Sequence, residues 1–147
     1  MRLYIATDHR GVEVIKKLII GLKAYNHEVI ESTLPHYPTD DYVDFAIDVA
    51  KKVSKDKDSY GILICGSGIG MSIAANKVKG IRAARCLSQR DAFVTRNDNH
   101  SNILCLDYNQ DVNTLLGIIE TFIETPDDND ERHLRRISKI SAYENGE

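Results

Sequence analysis

The chain has 147 residues, of which 42% are hydrophobic and 28% are charged, and its formal net charge is −3. This composition is typical of one soluble globular domain, and the lack of a basic excess argues against a general nucleic-acid or membrane-surface binder. The start MRLYIATDHRG has no apolar core with a small-residue cleavage site, and no apolar run reaches the roughly 20 residues that cross a bilayer, so we expect neither signal peptide nor membrane span.

Strand and helix patterns alternate along the whole chain. Apolar runs predict strands over residues 2–6, 27–31, 60–65, 81–86 and 102–106. Apolar spacings of three and four predict helices over 12–22, 42–53 and 69–77, and further helices are expected over 88–97, 111–124 and 129–144. Thr39, Asp40 and Asp41 are possible N-caps of the second helix.

The order of these elements predicts an α/β fold. Strict alternation of strand and helix implies a parallel sheet of five strands with helices on both faces, and the unbroken apolar run YGILIC (60–65) suits a strand buried on both sides. Ligands of such sheets bind at the carboxyl ends of the strands, near the topological switch point. The candidate site residues are therefore Asp8 and His9 after the first strand, residues 65–70 after the third, and the residues that flank the later strands.

The segment ICGSGIGMSIAANK (64–77) joins the third strand to a helix through a glycine-rich turn. Its GxGxG spacing, with Met71 where a dinucleotide fingerprint has its third glycine, argues against NAD or FAD, and a Walker A motif is lacking. A glycine turn before a helix still presents free backbone N–H groups. We expect these to hold a phosphate or to stabilise an oxyanion.

Cys65 stands at the edge of this turn. A thiol close to a helix N-terminus can act as a base or nucleophile, but a cysteine at a strand end is also often buried and inert, so the pattern alone leaves both interpretations open. Cys86 and Cys105 end other strands without a glycine turn, and for them we favour the inert interpretation. Three widely spaced cysteines without a CxxC pair suggest no zinc ribbon or disulfide framework and favour a reducing cytoplasm.

Three further polar clusters each allow two interpretations. Asp8-His9 is either a capped turn or part of the site. Arg132 and Arg136 lie four apart and can grip one phosphate, or they belong to a solvated basic stripe. The segment RNDNHSN (96–102) is either a polar loop or a group of ligand-binding side chains.

Taken together, Asp8-His9, CGSGIGMSIAANKVKGIRAA (65–84) and RHLRR (132–136) resemble the RpiB/LacAB family of sugar-phosphate isomerases, most closely its type-B ribose-5-phosphate isomerase branch. The resemblance spans nearly the whole chain and implies a single Rossmann-like α/β/α sandwich over residues 1–147. It also implies a homodimer or dimer of dimers with active sites at the interface, to which the helix 129–144 contributes. No metal and no organic cofactor is expected.

The resemblance also implies a function in the pentose phosphate pathway, the interconversion of ribose 5-phosphate and ribulose 5-phosphate through a cis-enediolate. The Cys65 thiolate would move the proton between C1 and C2, since the branch with a carboxylate base has glutamate where this chain has Met71. The resemblance further implies that Ser67 and the N–H groups of Gly66, Gly68, Ile69 and Gly70 hold the enediolate oxygens. Asp8 and Tyr42 would contact the sugar, and His9, Arg132 and Arg136 would contact the phosphate. Asn99 would line the pocket.

The chain departs from the family pattern in three places. Asp98 stands where a histidine helps to open the sugar ring, so Asp98 or the nearby His100 would have to serve, or ring opening is slow. Asp107 and Asn109 stand where the family has Gly-x-Arg, and the lost arginine binds phosphate; Arg10 and Arg85 are basic residues that could compensate. Tyr42-Val43 replaces a Tyr-Pro pair.

These departures leave two alternatives to the ribose 5-phosphate reaction. The chain could isomerise another phosphorylated aldose, such as a six-carbon or deoxy sugar, or it could bind sugar phosphates without catalysis. The intact glycine turn with Cys65 and Ser67 favours catalysis, whereas the lost histidine and arginine favour the alternatives.

Overall fold

A computed structural model describes all 147 residues. The five strands are β1 Arg2–Thr7, β2 Glu28–Glu31, β3 Ser59–Cys65, β4 Ala83–Arg85 and β5 Ile103–Asp107. The six helices are α1 Val12–Ala24, α2 Tyr42–Lys55, α3 Ile69–Ala75, α4 Gln89–Asn99, α5 Val112–Glu124 and α6 Glu131–Glu144, and His9–Gly11 forms a 3-10 turn before α1. The predicted alternation is confirmed. None of the helices combines the length and apolar character that a membrane-spanning helix requires.

All five strands pair in parallel in the order β2-β1-β3-β5-β4, which confirms the predicted parallel sheet. The connection from β2 to β3 carries the chain back across β1, so the order reverses between β1 and β3. This reversal separates the loops that follow those two strands and opens a crevice at their carboxyl ends. In the register, Thr7 lies opposite Ile64 and Cys65 lies opposite Asp107.

Two hydrophobic cores cover the two faces of the sheet. Alternate side chains of each central strand point to opposite faces, so Ile62 and Ile64 enter one core while Leu63 and Cys65 enter the other. The first core is closed by α1, α4 and α5, and the second by α2 and α3. The backbone at the strand ends is thereby held rigidly between two buried layers.

Helix α3 and strand β4 are both shorter than predicted, and one side chain accounts for both differences. The side-chain amide of Asn76 donates to the Ala83 carbonyl at 2.9 Å and accepts its N–H at 2.8 Å. The Asn76 side chain therefore pairs with the Ala83 backbone as a neighbouring strand would. This pairing ends α3 at Ala75 instead of residue 77, and β4 is restricted to three residues. The side chain of Asn102 accepts the Arg82 N–H at 2.8 Å and completes this turn.

Helix α6 begins at Glu131, two residues later than predicted, and Asp130 caps it by accepting the Arg132 N–H at 2.8 Å. The helix is amphipathic but has no buried residue. Leu134 and Ile140 on its apolar side are 41% and 50% exposed. This chain therefore does not by itself cover the apolar side of α6.

Candidate active site

The loop after β3 places the Cys65 thiol against backbone donors. Cys65 is 4% exposed, and its Sγ accepts the Gly68 N–H at 3.1 Å. Gly68 has a φ of +78°, and a Cβ there would lie 3.1 Å from the Leu106 carbonyl oxygen, so the turn requires glycine on both counts. The Oγ of Ser67 accepts the Ile69 N–H at 3.2 Å.

Other N–H groups of the same loop remain free. The backbone N–H groups of Gly66, Ser67 and Gly70 have no acceptor within the chain. They stand next to a sulfur atom in a turn between a buried strand and a helix. Such preorganised donors suit an oxyanion or a phosphate oxygen, as the sequence predicts.

A pocket of about 410 Å³ opens over this loop at the reversal point of the sheet. It is lined by Asp8, His9, Arg10, Asp40, Asp41, Tyr42, Cys65, Gly66, Ser67 and Gly70. The sequence predicts seven of these residues as site residues, Arg10 as a basic residue that could compensate for the lost arginine, and Asp40 and Asp41 only as possible helix caps. A larger groove of about 600 Å³ runs beside α2 and shares Asp40 and Asp41, but it contains neither the thiol nor the glycine turn.

Asp8 and His9 form both a capped turn and a wall of the pocket, so the two interpretations are compatible. Asp8 is buried, and its carboxylate accepts the Arg10 N–H at 3.0 Å. His9 donates its backbone N–H to Asp40 at 2.9 Å, and its Nδ1 lies 2.7 Å from the same carboxylate oxygen. The His9 ring is therefore fixed through Nδ1, and Nε2 has no partner within the chain.

Asp40 organises this wall. Its second oxygen is hydrogen-bonded to His36 Nδ1 and to the Tyr37 N–H, both at 3.1 Å. Burial acts to raise the pKa of Asp40, but the hydrogen bonds from His9, His36 and Tyr37 outweigh burial and lower it to about 2. Asp40 is therefore a carboxylate at neutral pH. It was considered from sequence only as a helix cap, yet α2 begins after Asp41, whose side chain makes no capping bond.

Tyr42 lies across the glycine turn. A Cβ at position 70 would be 2.5 Å from the Tyr42 Cζ atom, so the phenol packs directly on Gly70. The Tyr42 side chain keeps 40% exposure and faces the pocket. This contact explains why the turn needs a glycine at position 70 although that residue is helical.

The remaining sulfur-containing side chains lie outside the pocket. Met71 is fully buried in the core against α2. Burial raises the pKa of the Cys86 thiol to about 12, and burial also raises the pKa of Cys105 well above its ordinary value. These two thiols stay protonated, which confirms the inert interpretation for both. Cys65 is the one cysteine that faces the pocket.

Six predicted residues do not line this pocket within one chain: Gly68 and Ile69 of the glycine turn, and Asp98, Asn99, Arg132 and Arg136. Asp98 and Asn99 end α4, and the two arginines belong to α6. Arg132 forms an ion pair with Asp130 at 2.8 Å, whereas Arg136 is exposed and has no polar partner. The resemblance implies a site shared between two subunits, and a single chain does not bring its α4 and α6 residues to its own pocket.

Asp98 lies beside a histidine that the sequence reasoning did not single out. His133 Nε2 is 3.7 Å from the Asp98 carboxylate, and His133 Nδ1 is 2.9 Å from Asp128. The hydrogen bond from His133 lowers the pKa of Asp128, so a carboxylate orients this ring. His100, considered as a substitute for the missing histidine, instead directs its Nε2 to the Asp128 carbonyl at 3.0 Å. The motif RHLRR contained His133, but only tertiary contact brings it to Asp98.

A sequence model of the ribose/galactose isomerase family matches residues 3–140. The chain belongs to this family. The probable ribose-5-phosphate isomerase B of Mycoplasma genitalium is 40% identical to this isomerase over 146 residues, which cover 97% of this chain and 95% of the relative. The ribose-5-phosphate isomerase B of Mycobacterium tuberculosis is 37% identical over 98% of this chain and 90% of its own.

Solved structures agree with this isomerase over its full length. The Mycoplasma genitalium ribose-5-phosphate isomerase B with bound ribulose 5-phosphate has a TM-score of 0.92 at 38% identity, covering 99% of this chain and 97% of that one. The type B ribose 5-phosphate isomerase of Trypanosoma cruzi has a TM-score of 0.90 at 40% identity and full coverage of both chains. The recognised family and the predicted sandwich fold are confirmed.

The structure separates the two basic residues that could compensate for Asn109 in this isomerase. Arg85 Nε donates to the Ser67 carbonyl at 2.6 Å and braces the loop without lining the pocket. Arg10 lines the pocket. Asn109 itself donates to the Gly66 carbonyl at 3.1 Å and to Asp107 at 2.9 Å, so it holds the start of the loop. No group of three or more His, Cys, Asp or Glu side chains is arranged to hold a metal ion.

Proposed function

We propose that this chain interconverts ribose 5-phosphate and ribulose 5-phosphate, with the Cys65 thiolate as the base and the loop 66–70 as the oxyanion cradle. The observation that carries the proposal is the placement of one thiol and three free N–H groups at the floor of the same pocket. The ribulose 5-phosphate bound in the solved Mycoplasma genitalium relative supports this substrate.

The reaction moves one proton between adjacent carbons. In the open-chain aldose, the thiolate removes the proton from C2, and the electron pair of that bond forms a C1–C2 double bond while the C1 carbonyl oxygen becomes an enediolate oxygen. The thiol then returns its proton to C1, and the O2 proton passes to O1, which leaves the ketone at C2. Atoms and charge balance without a redox partner.

The cradle lowers the barrier because it is built before the charge appears. Hydrogen bonds from fixed N–H groups to a developing oxyanion contribute about 10²- to 10³-fold per donor in other enzymes. In this pocket the candidate donors are the N–H groups of Gly66, Ser67 and Gly70, together with the Ser67 hydroxyl. Tyr42 and Asp8 would hold sugar hydroxyls from the opposite side.

We propose that a second copy of the chain completes each site. Arg132 and Arg136 lie on α6, whose apolar side is uncovered within one chain. Burying Leu134 and Ile140 against a second copy would stabilise a homodimer and would bring α6 near the other copy's pocket. Asp98 and Asn99 would enter the site in the same way, because α4 contacts α6.

Ring opening would then use the pair of Asp98 and His133. Opening the furanose requires an acid for the ring oxygen and a base for the O1 hydroxyl. Asp128 holds His133 through Nδ1, and Nε2 faces Asp98 across 3.7 Å, so the imidazole and the carboxylate can serve together. This pair would take the role of the ring-opening histidine that the family has at the position of Asp98.

Another phosphorylated aldose remains the second candidate substrate. The observation that favours it is Asp98, which stands where the resemblance implies the histidine that helps to open the sugar ring. We also propose a cytoplasmic location, in keeping with three free thiols.

The test is an isomerase assay on ribose 5-phosphate and a panel of five- and six-carbon aldose phosphates. Ribose 5-phosphate should have the highest kcat/KM, and Cys65→Ala should lower it by about 10³-fold or more. Cys86→Ala is the matched control, because Cys86 is equally buried but lies outside the pocket. Near-full activity of Cys65→Ala would refute the assigned base, and sugar-phosphate binding without turnover would favour a binding protein.

A further inference from the structure

The pocket above Cys65 contains a single residue with a permanent positive charge. Arg10 is the only lysine or arginine among its lining residues, whereas Asp8, Asp40 and Asp41 contribute carboxylates. A phosphate ester carries up to two negative charges at neutral pH, and carboxylates alone would repel it. Arg10 therefore supplies the only permanent positive charge with which the pocket of one chain can attract such a group.

The guanidinium of Arg10 is free to bind a ligand. It makes no hydrogen bond and no ion pair within the chain, whereas the backbone N–H of the same residue is held by Asp8 at 3.0 Å. Arg132 and Arg96 differ, because Asp130 and Asp127 occupy their guanidinium groups. A fixed backbone with an unpaired fork of N–H donors suits bidentate recognition of phosphate.

Arg10 and Asn109 approach the same residue of the loop. A Cβ atom at Gly66 would lie only 3.0 Å from Arg10 Nη1, so the guanidinium packs on Gly66. The Asn109 side chain donates to the Gly66 carbonyl at 3.1 Å. A longer cationic side chain at position 109 could therefore reach the space that Arg10 occupies.

We propose that Arg10 binds the phosphate group of the substrate, and that a guanidinium at position 109 can replace it. This inference rests on the proposed function, since it names the residue that recognises the anionic end of that substrate. Arg10 then supplies the charged phosphate contact that the neutral side chain of Asn109 cannot make.

The experiment compares the wild type with Arg10→Ala, Arg10→Lys, Asn109→Arg and the double variant Arg10→Ala/Asn109→Arg. Arg90→Ala is the matched control, because Arg90 is another exposed arginine without a polar partner, and it lies outside the pocket. Binding of inorganic phosphate is measured by titration calorimetry, and kcat and KM are measured separately with ribose 5-phosphate.

Arg10→Ala should weaken phosphate binding and raise KM by about tenfold or more, with a much smaller change in kcat, because a charge-assisted bidentate contact is lost. Arg10→Lys should fall between the wild type and Arg10→Ala. The double variant should recover most of the loss, and Arg90→Ala should match the wild type.

Phosphate binding by Arg10→Ala within twofold of the wild type would overturn the inference, as would a fall in kcat with unchanged KM. If Asn109→Arg does not restore phosphate binding in the double variant, then a guanidinium at position 109 cannot replace that of Arg10. If the wild type binds phosphate through Arg10 but isomerises no aldose phosphate, the proposed function fails and the role of Arg10 stands.

Discussion

The Sγ atom of Cys65 accepts the backbone N–H of Gly68 at 3.1 Å, within a turn that only glycine can form without strain. The proposed base and its cradle therefore lie in one continuous segment, residues 65–70. The sulfur atom thus accepts a hydrogen bond from the same loop that would stabilise the enediolate. The geometry of this turn should consequently affect both the rate of the reaction and the stability of the protein.

The first prediction separates these two effects. Gly68→Ala should lower kcat by about tenfold or more, because the loop must shift away from Leu106 and misplace its donors. It should also cost about 1–2 kcal/mol of stability from the left-handed backbone. Gly80→Ala is the control, since Gly80 has a φ of +85° but nothing within 4 Å of its Cβ position. It should lose similar stability in urea denaturation and keep its kcat.

The second prediction concerns the contact between Gly70 and Tyr42. Gly70→Ala should displace the phenol ring and raise KM by several-fold, because Tyr42 can no longer close over the substrate. If the methyl group acts through the ring, Gly70→Ala should add little to the KM of Tyr42→Ala in a double-mutant cycle. Additive effects of the two substitutions would show that Gly70 acts independently of Tyr42.

The third prediction is a pH dependence of stability that depends on Asp40. Its pKa in the folded protein is lowered to about 2, so its contribution is fully present above its unfolded pKa and is lost as pH falls towards 2. Asp40→Asn should therefore be less stable than the wild type at pH 6, with a difference that shrinks between about pH 4 and pH 2. Asp44→Asn, at an exposed residue in the first turn of α2, should show little of this trend in urea titrations.

The fourth prediction tests His133 in ring opening. Ribulose 5-phosphate cannot form a furanose because its O5 is esterified, whereas ribose 5-phosphate is mostly cyclic. His133→Asn should therefore slow turnover of ribose 5-phosphate by at least about tenfold, while exchange of a C1 proton of ribulose 5-phosphate with deuterium in the solvent stays near the wild-type rate. Asp98→His should raise turnover of the cyclic sugar if ring opening limits it. An equal loss of turnover and exchange in His133→Asn would assign His133 to binding instead.

The fifth prediction tests the shared site. Ile140→Asp should give a monomer by sedimentation and abolish activity, although the Cys65 pocket is unchanged; Ile20→Asp, at an isoleucine with 72% exposure on α1, should do neither.

Mixing inactive Cys65→Ala with inactive Arg136→Ala after unfolding and refolding should restore roughly a quarter of the activity, because half of the dimers then contain one intact site. No recovery in the mixture would indicate that each chain builds its own site.

The sequence predicted site residues correctly where reactive or polar side chains lie at the end of a strand. Asp8, His9, Cys65 and Ser67 were located because parallel strands end at one edge, and the structure places all four in one pocket. The inert state of Cys86 was also predictable, since no glycine turn follows it. The boundaries of β4 and α3 were not predictable, because they depend on the side-chain contact of Asn76 with Ala83.

The sequence by itself determined the parallel sheet and the edge that binds ligand, because strand and helix patterns alternate along the chain. It also determined the role expected of the glycine turn, because the spacing of the glycines after the third strand is visible in the sequence. Only the tertiary structure decided that Arg10 and Asp40 line the pocket, that His133 contacts Asp98, and that Arg136 lies outside the pocket of its own chain. These relationships join residues that are far apart in sequence. Their distances are set by how helices pack on the sheet, and no pattern within a single segment encodes them.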